Sequence, residues 1–185
     1  MLDPQTLVSG LVVGESPRWH EDRLWFSNWG AQEILAVDVL GNSEVMARVP
    51  TTIPFCFDWL PDGRLLVVSG PEALFLRVEP DGTPVTHADL GEDAPDGICM
   101  DAEGAVWYGT VPNKRCVRVC EGGEVLQSID TDLACFACML GGEDGKTLFI
   151  MAAEWPGPEY MDVLFRSHTG QVLTAEAPAP GVGWP

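Results

Sequence analysis

Basic residues are scarce in this chain. Its 185 residues include 10 Lys and Arg against 28 Asp and Glu, a formal net charge of −18. Phosphate-binding surfaces need clustered cations, so neither nucleic acid nor an anionic membrane surface is an expected partner. Long apolar runs are missing too. No stretch approaches the roughly 20 apolar residues of a membrane-spanning helix. The first ten residues carry neither a basic region nor the apolar core of a secretory signal. The expected location is therefore the cytoplasm, where Cys56, Cys99, Cys116, Cys120, Cys135 and Cys138 stay reduced. A convincing helical period is lacking throughout. His20, His87 and His168 are scattered, and no nucleophile-elbow motif accompanies them, so a Ser-His-Asp site has no support.

What is present is a repeat. Hydrophobic residues make up 46% of the chain, enough for one packed domain spanning 1–185. Four apolar segments share a pattern: Arg23–Ser27 (RLWFS), Arg64–Ser69 (RLLVVS), Ala105–Gly109 (AVWYG) and Thr147–Met151 (TLFIM). Their first apolar residues, Leu24, Leu65, Val106 and Leu148, are spaced by 41, 41 and 42. Each follows an acidic or glycine-bearing turn, such as Pro61–Gly63 (PDG) or Glu143–Gly145 (EDG), where glycine accepts positive φ. A third strand follows each: 33–38, 73–78, 116–119 and 170–174. A fourth follows in several, as at 43–47 and 124–128. Four strands per unit of about 40 residues marks a β-propeller blade. The expected fold is thus all-β, a propeller of about four repeats, with a β-sandwich as the alternative that the regular spacing disfavours. Thr6–Val13 reads as an outer strand of the last blade that closes the ring. Residues 178–185 read as a loose tail.

In a propeller the first strand of each unit lines the central channel, so residues at one repeat phase converge. Glu15 lies nine residues before Leu24, and Asp96 ten before Val106. The matching places in the other units are Cys56 and the Ala137–Cys138 pair. Two convergent carboxylates suit a hard divalent cation. The plainer alternative has Glu15 in an exposed loop and Asp96 opening a Pro-Asp-Gly turn. Trp29 and Trp155, in loops, are candidates to touch a sugar ring. Cys135 and Cys138 form a C-x-x-C without a second pair at zinc spacing. On a regular strand they face opposite sides, as buried structural thiols.

Gly14–Trp19 (GESPRW) with Leu24–Ser27 (LWFS) resembles the opening of the SMP-30/gluconolactonase, regucalcin-like family. Phe57–Leu66 (FDWLPDGRLL) resembles its second blade, and Ala94–Tyr108 (APDGICMDAEGAVWY) the blade carrying its Pro-Asp-Gly metal motif. Cys135–Gly142 (CFACMLGG) and Gly170–Leu173 (GQVL) resemble its last blade. The resemblance implies a six-bladed propeller that hydrolyses sugar lactones with a divalent metal, Ca²⁺, Zn²⁺, Mn²⁺ or Mg²⁺. It implies Glu15 and Asp96 as metal ligands, and Asp96 as the group that activates water. The small sugar lactone is then the partner. The family's two asparagine motifs are absent here, and the chain lacks about two central blades between Leu90 and Ala94. Replacement ligands would have to come from Asn28, Asp58, Asn113 or water. The alternative function is a shortened, inactive propeller that binds a cation weakly or serves as an interaction scaffold.

Overall fold

The computed structural model of the chain describes residues 5–51 and 55–182. Blade 1 comprises β1 (Val13–His20), β2 (Arg23–Trp29), β3 (Glu33–Val37) and β4 (Ser43–Arg48). Blade 2 comprises β5 (Phe57–Trp59), β6 (Leu65–Ser69), β7 (Leu74–Val78) and β8 (Pro84–Asp89). Blade 3 comprises β9 (Pro95–Met100), β10 (Val106–Thr110), β11 (Arg115–Val119) and β12 (Val125–Asp130). Blade 4 has three strands: β13 (Ala134–Gly141), β14 (Thr147–Ala153) and β15 (Gln171–Glu176). Every sheet is an antiparallel meander in chain order. The architecture is a four-bladed β-propeller, and the repeat places its strands within a few residues.

The interior strands are apolar without interruption because both of their faces are covered. In β6, Leu65 and Val67 face blade 1 and pack with Trp25, Ile34 and Phe57. Leu66 and Val68 face blade 3 and pack with Phe75, Ile98 and Tyr108. In β10, Val106 and Tyr108 join that second cluster, while Trp107 turns to Cys116, Leu148 and Ile150 of the third. Each fully buried large side chain contributes roughly 1.5–3 kcal/mol. These clusters join blade 1 to 2, 2 to 3 and 3 to 4. Among the described residues none joins blade 4 to blade 1.

Three expectations are corrected. The segment before β1 is not an outer strand of blade 4. Val8 and Leu11 pack on Phe26, Leu35 and Val37 of blade 1, and the Val12 N–H donates to Asn28 Oδ1 at 3.0 Å. Its apolar residues are satisfied by the nearest uncovered blade face. The tail is not loose up to residue 182. Ala177 and Ala179 are buried, Gly181 bridges Asp101, and the Ala102 N–H donates to Pro180 O. Residues 183–185 lie outside the described residues. A short helix, α1 (Met161–Ser167), sits between β14 and β15. Seven residues are too few for a 3.6-residue period to show. Among the described residues no helix is long and apolar enough to cross a membrane.

Asp101 closes the turn into β10. Its Oδ1 accepts the Glu103 and Ala105 N–H groups, and Oδ2 accepts Arg118 Nε at 2.7 Å. Both side chains of this ion pair are buried. Removing one partner strands the other charge. Arg118→Met is therefore expected to lower stability by about 3 kcal/mol in urea unfolding at pH 7. A loss under about 1 kcal/mol would show that Asp101 stays solvated.

Candidate functional site

The inner strands of blades 1, 3 and 4 and the loop into blade 2 line one cavity of about 460 Å³. Glu15 and Arg18 come from β1, Cys56 from the loop into β5, Asp96 from β9, and Ala137 and Cys138 from β13. Thus all the residues matched by repeat phase reach the same space. Trp29, Phe55 and Phe136 supply its apolar walls. Trp29 is fixed by its Nε1–H, which donates to Phe55 O at 2.6 Å.

Blade 1 reaches the cavity through an irregularity. The β1–β2 register shifts between Glu15 and Arg18, and Ser16 takes φ 52°. On a regular strand residues 15 and 18 would face opposite sides. The bulge turns both toward the cavity, as bulges commonly re-aim side chains beside sites. Pro17, which has no N–H to give the ladder, suits the break. Blade 3 reaches it through strand β9 itself. Asp96 and Gly97 are strand residues and do not form a turn. Glycine is needed there for space: a Cβ on Gly97 would lie 2.5 Å from Ala137 Cβ. This close approach holds the inner strands of blades 3 and 4 together.

The carboxylates differ in setting. Glu15 is exposed and accepts the Ser16 hydroxyl at 2.7 Å. Asp96 is half-buried, and burial, with the charge of Glu15 second, pushes its carboxyl up to about 6. Its carbonyl accepts the Cys56 thiol at 3.7 Å. Burial pushes the Cys56 thiol up to about 12, so it is a neutral donor there.

The remaining candidates lie elsewhere. Asn28 is buried, with its oxygen engaged by Val12. Asn113 donates to Asp93. Asp58 opens on a different, smaller cavity with His20 and Trp59. None of the three lines the main cavity. Trp155 packs edge-on against Phe136 and lines a separate pocket beside Lys114. The expectation for the C-x-x-C pair is corrected. A bulge between Cys135 and Ala137 puts Cys135 and Cys138 on the same buried cluster, with Cys99 and Cys116. Cys99 Sγ and Cys138 Sγ are 3.9 Å apart, and all six cysteines are free. Sequence reasoning missed Arg18, Phe55 and Phe136 on the cavity. Pro17 was the one local signal of the bulge.

Among the described residues no group of three or more His, Cys, Asp or Glu is arranged to hold a metal. The donor set at the cavity is two carboxylates with room for water. That fits a hard cation of the Mg²⁺ type, which commonly keeps several waters and takes one or two carboxylates. It does not supply the six to eight protein oxygens of a dehydrated Ca²⁺ cage.

Solved propellers share this architecture. A luciferin-regenerating enzyme superposes with a TM-score of 0.72 at 12% identity, covering 92% of this chain and 64% of its own. The calcium-binding protein regucalcin from Agrobacterium tumefaciens gives 0.64 at 19%, covering 92% and 62%. A candidate gluconolactonase gives 0.68 at 18%, covering 92% and 60%. At these identities the likeness establishes the fold. The chain spans less than two thirds of each structure's length. Residues 76–154, from β7 into the loop after β14, match the SMP-30/Gluconolactonase/LRE-like region, carried here on a four-bladed propeller.

Proposed function

We propose that the chain is a divalent-metal-dependent hydrolase of sugar lactones. One observation carries the reading: Glu15 and Asp96, from blades 1 and 3, share one cavity and interact electrostatically within it. The family match over residues 76–154 supports it. Glu15 and Asp96 would hold the cation. When bound, it would polarise the lactone carbonyl as a Lewis acid.

The chain's own residues do the rest. Trp29, Phe55 and Phe136 offer apolar surface to the C–H faces of a sugar ring. Burial and the Glu15 charge raise the Asp96 carboxyl to about 6 in the metal-free chain; with a cation bound it would fall again and stay ionised as the base. It takes a proton from the attacking water and returns it to the ring oxygen as the ring opens. The proposed setting is the cytoplasm, where the six thiols would stay reduced.

A second reading has its own support. No third ligand lies among the described residues, which favours a propeller that binds a cation or partner without turnover. Acid release from glucono- and pentonolactones separates the two. It is followed with Ca²⁺, Zn²⁺, Mn²⁺, Mg²⁺ or EDTA against a no-enzyme blank. Metal-dependent release above the blank is expected. A folded protein with no rate above the blank would leave the scaffold reading.

A further inference from the structure

Arg18 lines the same cavity as Glu15 and Asp96; its charge reaches Asp58 only at longer range, where it favours that carboxylate's ionised form. Six other arginines, Arg23, Arg48, Arg64, Arg77, Arg115 and Arg118, each pair with one. Among the described residues Arg18 forms no ion pair, although the chain carries 28 acidic residues. Its Nη1 donates to Pro17 O at 3.1 Å, and its Nε is buried with no partner among those residues. A buried N–H left unmade costs free energy. A guanidinium offers its donors in a fork that matches carboxylate or phosphate oxygens. The bulge at Ser16 aims this group and Glu15 into one space.

We propose that Arg18 receives an anionic group on the substrate, so that the preferred lactones carry a second acid group away from the ring ester. The inference rests on the lactone-hydrolase reading and narrows its substrate class. Glu15 and Asp96 would hold the cation that polarises the reacting carbonyl. Arg18 would take a carboxylate or phosphate elsewhere on the sugar. Both groups fit a cavity of about 460 Å³, within the usual size of small-molecule sites. Arg18 is a specificity-determining residue here, with no part in bond breaking.

Binding of the ring-opened acids tests this independently of turnover. Isothermal titration compares a six-carbon aldonic acid, the matching aldaric acid with a second carboxylate, and an aldonic acid with a terminal phosphate. The doubly acidic ligands are expected to bind about tenfold tighter or more than the singly acidic one. That preference should shrink as salt rises. It should vanish in Arg18→Gln and survive in part in Arg18→Lys. A phosphate ligand tighter than the dicarboxylate assigns the anion as phosphate, and the reverse order as carboxylate. Equal affinities in the native chain, no binding of any acid, or a preference retained by folded Arg18→Gln would overturn the proposal. If Arg18→Gln does not fold, the native comparison and Arg18→Lys decide. Preference without any lactone turnover sinks the hydrolase reading alone. Turnover of neutral lactones without preference sinks this inference alone.

Discussion

Asp96→Asn is expected to stabilise the metal-free protein above pH 6 while removing lactone hydrolysis. The sign follows from the raised carboxyl. Asp96 moves from 3.8 to about 6 on folding, chiefly by burial and then by the charge of Glu15. Below about pH 3.8 it is protonated in both states, and no stability is lost. Between about pH 3.8 and 6 the unfolded chain gives up this proton while the folded chain keeps it, so stability falls; above about 6 the folded chain carries a half-buried charge beside Glu15 and the loss is complete. Asparagine carries no charge at any pH. In EDTA at pH 8 the variant should be more stable by about 1–3 kcal/mol, a gain of several degrees in Tm. At pH 4 the two proteins should melt close together. Hydrolysis should fall by about 10²–10⁴, the usual contribution of a positioned base. Opposite signs in stability and activity mark a group held at a cost for its chemistry. A lower Tm for Asp96→Asn at pH 8 would show that the carboxylate is structural.

Gly97→Val is expected to separate blades 3 and 4. Even an alanine Cβ would come within 2.5 Å of Ala137 Cβ and 2.8 Å of its Cα, so backbone must move. Overpacking of this kind costs typically about 1–3 kcal/mol, and the larger valine should exceed that range. Gly97→Ala should lower Tm by about 10 °C. Ala137→Gly should rescue it only in part, because the new methyl still presses on the β13 backbone. Gly63→Ala is the control. Gly63 has φ +84° with nothing within 4 Å of a Cβ, so the cost there is the backbone strain alone, about 1 kcal/mol. Equal losses at the two glycines would contradict the close approach of β9 and β13.

The repeat made the fold legible. Leu24, Leu65, Val106 and Leu148 each fall at or one residue inside the start of the second strand of a blade. Asp-Gly turns separate strands whose apolar residues alternate between two buried faces. The same phase brought Glu15, Cys56, Asp96 and Cys138 to one cavity. Departures from period two were not legible. The bulge at Ser16 that adds Arg18 to the cavity, and the bulge at Phe136 that puts Cys135 and Cys138 on one side, shift the alternation by a residue. Nothing in local composition fixes such a shift except Pro17 in the first case. Gly97 also reads differently in three dimensions. Within Pro-Asp-Gly it suggests a turn, yet it lies in a strand, where its lack of a side chain is what the packing requires. Partner choice was hidden as well. Asn28 and Asn113 look available as ligands in sequence, but Val12 engages the Asn28 oxygen, and Asn113 is held through its amide nitrogen on Asp93 without lining the cavity.

Two carboxylates from different blades, we propose, hold one divalent cation in this four-bladed propeller. Calorimetric titration of Mg²⁺, Mn²⁺ and Ca²⁺ into EDTA-stripped, desalted protein at pH 7.5 tests it most directly, beside Glu15→Gln and Asp96→Asn. One ion per chain is expected, with affinity reduced at least about tenfold in each variant although both remain folded. Binding of equal strength in the native chain and both variants would place the ion elsewhere, and no binding to the native chain would contradict the account.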